Sequence, residues 1–184
     1  MFLFTFPCAA ANQKVTLSVY YDSLNTSCAT FIVKNLARIF EDDLMTILNL
    51  RLVPWGEAYA NKSNNSTAIC QNKHFALIYC IEFLAIEGRH NEWETCFSSL
   101  GLPKNTTLDC YNSSNATKLE QNYGNETMHL NPPLQFVPWL VLNNQPIGND
   151  YENFTGYVCK AYKGKIAPMA CQSVHLKQKK TTDK

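Results

Sequence analysis

The sequence predicts an α/β domain in the order β-α-β, helical insert, β-β-α, stabilised by disulfides. Three observations predict it. A run rich in β-branched and aromatic residues, Val15 to Tyr21, passes through a polar turn into apolar residues at helical spacing, and a second such run follows. Nearer the other end, an apolar stretch headed by Pro138 turns back on itself at Asn143-Asn144. Eight cysteines lie dispersed among 184 residues, at 8, 28, 70, 80, 96, 110, 159 and 171, with no Cys-x-x-Cys pair. Such usage fits a disulfide framework in an oxidising compartment better than a zinc site.

Val15 to Tyr21 reads as a buried strand. Asn25, Thr26 and Ser27 are each competent helix N-caps, and Phe31, Ile32, Leu36, Ile39 and Phe40 space a helix over Cys28 to Phe40. "MTILNLRLVPWG", from Met45, gives a second strand ended by Pro54 and Gly56. Strand, helix and strand at this spacing make a parallel pair with a right-handed crossover. Ala58 to Thr67 is polar and Asn-rich, a surface loop. Phe75 to Ile86 is apolar over a length that suits a buried helix, and Trp93 to Leu100 suits a short one. Residues 103–128 carry little apolar content and read as surface, with a short helix near Lys118 to Asn122. Trp139 to Leu142 is a strand, Asn143-Asn144 a hairpin turn, and Gln145 to Ile147 opens the partner strand. Tyr151 to Tyr162 closes the domain as a helix stopped by Gly164. The order is the thioredoxin layout.

Hydrophobic residues make up 46% of the chain and the formal net charge is +1. The size suits one domain with a proper core. Nothing in the bulk charge points to nucleic acid or an anionic membrane. Residues 1–11 are apolar and end in Ala9-Ala10-Ala11, which reads as a short, atypical signal segment without a basic start; cleavage after Ala11 removes Cys8. Residues 12–172 form the domain, with the helical insert at about 57–130, and residues 173–184 form a basic flexible tail. No later segment is long and apolar enough to span a bilayer. Asn-x-Ser/Thr acceptors begin at Asn25, Asn61, Asn64, Asn65, Asn105, Asn112, Asn115, Asn125 and Asn153. Nine acceptors exceed the two or three that chance places at this Asn, Ser and Thr content. The excess points to a glycoprotein of the secretory pathway. His74, His90, His129 and His175 stand in no metal-like spacing, and Trp55 and Trp139 read as core or wall.

The turn after Val15–Tyr21 holds a lone thiol, in Asn25-Thr26-Ser27-Cys28. A strand-to-helix turn is where redox proteins place chemistry, because unpaired N–H groups and the helix dipole stabilise a thiolate there. Reduction of a disulfide by a dithiol needs a nucleophile, which forms a mixed disulfide, and a second thiol one turn on, which resolves it.

Further blocks carry a resemblance: "VPWGEA" at 53–58, Cys70-Gln71, "IYCIEF" at 78–83, "FVPWLVLN" at 136–143 and "YVCKAYKGK" at 157–165, followed by a last cysteine. Together they resemble the gamma-interferon-inducible lysosomal thiol reductase family over nearly the whole mature chain. The chain departs from the family pattern twice. Asn25 stands where the family has its nucleophilic cysteine, and Cys28 matches the resolving one. After Cys70-Gln71 the chain reads "NKHFALIYC", where the family continues with His-Gly and two further cysteines flanking a helix.

The resemblance implies a thioredoxin-like fold and reduction of protein disulfides in a lysosomal, vacuolar or extracellular setting. It implies no cofactor beyond an external small thiol as reductant. It implies a cis-proline loop at Pro138, where the backbone of Val137 pairs with a disulfide-bonded or unfolded polypeptide. Position along the chain suggests disulfides Cys159–Cys171, bracketing the end of the last helix, and Cys96–Cys110 as local neighbours, with Cys70–Cys80 completing the scheme, out of 15 connectivities open to six cysteines. With Asn25 in the nucleophile position the two-thiol cycle cannot run. Cys28 then acts alone as a monothiol, or not at all. The alternatives are a non-catalytic secreted glycoprotein that binds extended polypeptide, which a buried Cys28 or a glycan on Asn25 favours, and a defective family product.

Overall fold

Val15–Tyr21 forms strand β1, and its side chains alternate between two different environments. Val15, Leu17, Val19 and Tyr21 enter the main core, whereas Tyr20 enters a second cluster on the other face. Burial on both faces marks β1 as a central strand. In the computed structural model, which describes residues 14–23, 25–54, 71–111 and 113–172, it lies between β2 (Leu48–Pro54) and β3 (Trp139–Leu142). The sheet order is β2-β1-β3-β4, with β4 at Gln145–Pro146. β1 and β2 run parallel, and β3 is antiparallel to both β1 and β4. The expected layout therefore stands, with β4 one residue shorter than expected.

Helix α1 spans Thr26–Thr30. The chain then widens into a π turn, Phe31–Asn35, and tightens into a 3₁₀ turn, Leu36–Phe40. Phe31, Ile32, Leu36 and Ile39 are all buried through this change of pitch. Each such side chain contributes about 1.5–3 kcal/mol relative to exposure. The expected single helix over Cys28 to Phe40 is thus a continuous helical segment of three pitches. The Met45 end of the expected second strand is instead a 3₁₀ turn, Leu44–Thr46, closed by the Thr46 hydroxyl donating to the Asp43 carbonyl at 2.7 Å.

Helix α2, Gln71–Ile86, brings Phe75 into the main core beside α1. Helix α3, Thr95–Leu100, ends at Gly101, whose φ of 61° is the left-handed conformation that a C-cap needs. A disulfide between Cys80 and Cys96 joins α2 to α3. This corrects the expected Cys96–Cys110 and Cys70–Cys80 pairings: packing of one helix on the next brings together two cysteines 16 residues apart. The expected Cys159–Cys171 disulfide is present and ties α6, Phe154–Ala161, to the segment beyond it.

Residues 103–128, read from sequence as surface with a short helix near Lys118 to Asn122, fold as two helices, α4 (Lys104–Tyr111) and α5 (Ser114–Met128). The anchor of α5 is a narrow mixed stripe. Tyr123 and Leu130 pack against Tyr20, Val53 and Trp139, and Thr127 is buried with its hydroxyl donating to the Tyr123 carbonyl at 2.7 Å. Glu126, on the same stripe, accepts from Tyr20 Oη at 2.6 Å and from both terminal nitrogens of Arg51 at 3.0 Å. Positions 123, 126 and 127 form one face of α5, and Leu130 follows just beyond its end.

The β3–β4 hairpin turns at Asn143 and Asn144, with φ of 45° and 66°. Both values suit the expected tight turn, where Asn tolerates the left-handed region. Asn143 Oδ1 also accepts from the Thr16 N–H at 2.9 Å, fastening the turn to the start of β1. The closing helix begins with a 3₁₀ segment, Gly148–Asn153, ahead of α6, so the regular helix starts three residues later than expected. Among the described residues no helix is long and apolar enough to cross a membrane. The expected segments 1–11 and 173–184, the loop at 58–67, and Cys8, Cys70, Asn61, Asn64, Asn65 and Asn112 lie outside the described residues.

Candidate active site

The turn between β1 and α1 holds the site. Asn25 has extended backbone angles, φ −73° and ψ 123°, and its side-chain Oδ1 accepts from the N–H groups of Ser27 at 3.0 Å and Cys28 at 3.2 Å. It is a fully engaged N-cap, and such a cap stabilises a helix by about 1 kcal/mol over Ala. In a dithiol enzyme those same donors would face a thiolate.

Cys28 sits one turn on, with 0% of its surface exposed. It belongs to the main core cluster, together with Tyr21, Phe31 and Ile32. Its Sγ accepts from the backbone N–H of Asp22 at 3.5 Å. Burial pushes the Cys28 thiol up to about 11; the Asp22 N–H opposes this, and the Asp22 and Glu82 charges add to it. Among the described residues Cys28 is the free cysteine. A nucleophilic cysteine is exposed and ionises easily. Cys28 is neither; it behaves as a small buried hydrophobe.

Glu82 was missed from sequence. It lies on α2 with 1% exposure, and its charge acts on both Cys28 and Tyr21. Burial raises the Tyr21 phenol above its usual range, and Glu82 reinforces the shift. The signal was available: Glu82 is the one charged residue inside "FALIYCIEFLAI". Burial first, and the Asp22 and Glu82 charges after it, thus keep the Cys28 thiol protonated.

Val137 and Pro138 precede β3, and the peptide bond between them is cis. Tyr20 is opposite Trp139 in the β1–β3 register. That register brings Pro138 to the end of the sheet where β1 runs into the Asn25 turn. Val137 packs against the cluster that contains Cys28. Its N–H and C=O make no backbone hydrogen bond among the described residues. The structure therefore brings Asn25, Cys28, Val137 and Pro138 together at one end of the sheet.

Of the candidate glycosylation sites, Asn105, Asn125 and Asn153 are exposed and Asn25 is half-buried. Asn115 lies on α5, and Cys110 on α4.

Comparison with known proteins agrees with this architecture. A family model described as "Gamma interferon inducible lysosomal thiol reductase (GILT)" matches residues 16–74, a span that covers the turn and ends three residues beyond Gln71. A gamma-interferon-responsive lysosomal thiol protein of Arabidopsis thaliana is 36% identical over 90% of this chain and 78% of its own length. A gamma-interferon-inducible lysosomal thiol reductase of Mus musculus is 26% identical over 87% of this chain and 73% of its own. In three dimensions the chain resembles DsbA of Chlamydia trachomatis, with a TM-score of 0.55 at 12% identity, over 80% of this chain and 86% of that one. It also resembles MdbA, a thiol-disulfide oxidoreductase from Actinomyces oris, with a TM-score of 0.52 at 14% identity over 83% of each chain. At such identities these two likenesses speak to the thioredoxin-like fold.

Proposed function

Because the chain belongs to the gamma interferon inducible lysosomal thiol reductase family of thiol–disulfide oxidoreductases, we propose that it keeps the family's polypeptide-binding end of the sheet but is impaired in reducing protein disulfides. One observation carries the reading: Asn25 caps the helix at the nucleophile's position while Cys28 is fully buried. A resolving thiol without a mixed disulfide to attack does no turnover. Burial of Cys28 also argues against its acting as a lone nucleophile.

That burial favours a second element of the reading, binding of extended polypeptide without exchange. The main-chain groups of Val137, which make no backbone hydrogen bond among the described residues, support it, since an extended chain pairs through such groups. Residence in the secretory pathway, with delivery to a lysosome or vacuole or release from the cell, is supported by the two disulfides, the nine acceptor sequences and the lysosomal names of the relatives. The partner is a disulfide-bonded or unfolded polypeptide, and the reductant in any residual reaction is a small external thiol.

The test is reduction of a disulfide-bonded model protein by the purified chain with a small thiol supplied, at acidic and neutral pH. The chain should match the thiol background, and so should Cys28→Ser. Asn25→Cys, which rebuilds the dithiol, should exceed both. Turnover by the unmodified chain that disappears in Cys28→Ser would show a working monothiol and overturn the proposal.

A further inference from the structure

The Asn25 side chain is both a helix cap and the first residue of the acceptor sequence Asn25-Thr26-Ser27. The cap uses the carbonyl oxygen Oδ1, with both hydrogen bonds accepted there. N-glycosylation uses the other end of the same amide, Nδ2, and leaves the carbonyl oxygen as an acceptor. The two roles are chemically compatible, because the modified amide keeps the carbonyl oxygen that both cap hydrogen bonds use. The surroundings are open: Thr26 and Ser27 are exposed. A shallow hollow of about 200 Å³, lined in part by Thr26, Ser27, Thr30, Tyr151 and Glu152, adjoins them.

We infer that Asn25 carries an N-linked glycan, and that this glycan covers the turn where a substrate disulfide would approach. The inference rests on the secretory-pathway reading above. The glycan's donor is a lipid-pyrophosphate-linked oligosaccharide. The Nδ2–C1 bond forms as the sugar C1–O bond breaks, the lipid pyrophosphate leaves with the electron pair, and Nδ2 loses one proton to a base. No oxidation or reduction occurs. The acceptor is modified as an extended chain, so the fold has only to tolerate the product, and the Oδ1 cap and the exposed flank meet that requirement. The glycan keeps a substrate disulfide off the turn by bulk, while the absent thiol ends exchange there by chemistry.

The experiment is glycopeptide mapping of the full chain secreted from a eukaryotic cell, with glycans released enzymatically in heavy-oxygen water so that each occupied Asn becomes a labelled Asp. Label at Asn25 is expected. Label at other acceptors with Asn25 unlabelled overturns this inference and leaves the secretory reading standing. No label on any acceptor overturns both. Ser27→Ala serves as a second variant, because it removes the acceptor hydroxyl and keeps the Asn25 cap, which uses the backbone N–H of residue 27. It should lose the mass of one glycan at an unchanged melting temperature. An unchanged glycan mass in Ser27→Ala overturns the inference as well.

Discussion

The chemistry of this molecule turns on one thiol, and its reactivity can be worked out from its surroundings. Cys28 is moved from an ordinary 9.0 to about 11, with burial the largest cause. A shift of two units lowers the thiolate fraction about 100-fold at any pH well below the ordinary value. Full burial adds an access barrier, because an alkylating reagent must wait for the chain to open locally. Alkylation by iodoacetamide at about pH 8, followed residue by residue through peptide mass, should therefore be at least about 100-fold slower at Cys28 than at a cysteine in an unstructured peptide. Denaturant should remove the difference. The shift also has a sign for stability. A thiol whose folded value is raised contributes stability that is fully present below the unfolded value and is lost as the pH rises through about 11. The chain should lose part of its stability across the window from 9.0 to about 11, and Cys28→Ala should lose less there. Alkylation of folded Cys28 at the rate of the unstructured peptide would refute the reasoning and return the thiol to the list of working nucleophiles.

Three further outcomes follow from named contacts. Glu126→Gln should cost about 1 kcal/mol at neutral pH by urea unfolding, the low end for a charged hydrogen-bonded pair because both side chains remain partly exposed. Burial pushes the Glu126 carboxyl up, but the hydrogen bonds from Arg51 and Tyr20 and the Arg51 charge outweigh it and hold it below the ordinary range. The stability it contributes is therefore present above that range and lost as pH falls through the folded value, so the variant and the parent should converge in strong acid. Replacing Cys80 and Cys96 together by Ala opens a 16-residue connection and should cost about 2–4 kcal/mol, read from the same unfolding experiment under non-reducing conditions. Asn25→Ala should cost about 1 kcal/mol, whereas Asn25→Asp should cost little, since an aspartate caps as well and suits the helix N-terminus; equal losses for the two would argue against the cap.

The legible parts of the fold were those written in local periodicity and turn chemistry. Val15–Tyr21 and the run ending at Pro54 declare strands because aliphatic residues recur at every second position, Val15, Leu17 and Val19 in one and Leu48, Leu50 and Leu52 in the other, and Asn143-Asn144 declares a hairpin because few residue pairs accept positive φ twice. Helix α4 was not legible and α5 only in its middle, near Lys118 to Asn122, since α5 is anchored by Tyr123, Glu126 and Thr127, of which only one is aromatic and none aliphatic. Its partners Tyr20 and Arg51 stand on strands more than 70 residues earlier in the chain. The Cys80–Cys96 pairing failed for a related reason: proximity on paper favoured neighbours in sequence, whereas the disulfide follows the packing of α2 on α3. At the site, the turn and its four principal residues were readable from motif, but the burial of Cys28 and the carboxylate of Glu82 beside it depend on where α2 lands.

Asn25 shows why the fold tolerates the loss of its nucleophile. A reactive thiol at a helix N-terminus is useful because the N–H groups there are left unsatisfied until a thiolate forms, and that condition is a standing cost to the helix. An asparagine in the same position satisfies two of those groups permanently, at 3.0 and 3.2 Å. On the proposed reading the substitution trades activity for stability, in the direction expected when a catalytic constraint is lifted. Cys28 follows the same logic from the other side. Once no mixed disulfide forms at residue 25, the thiol at residue 28 has nothing to attack, and a place in the core among Tyr21, Phe31 and Ile32 suits a small apolar group without further adjustment. What remains outside that economy is the segment before β3, where the main-chain groups of Val137 make no backbone hydrogen bond among the described residues. Backbone without a local partner can pair with an extended chain, and on the proposed reading that makes binding the activity to look for at this end of the sheet.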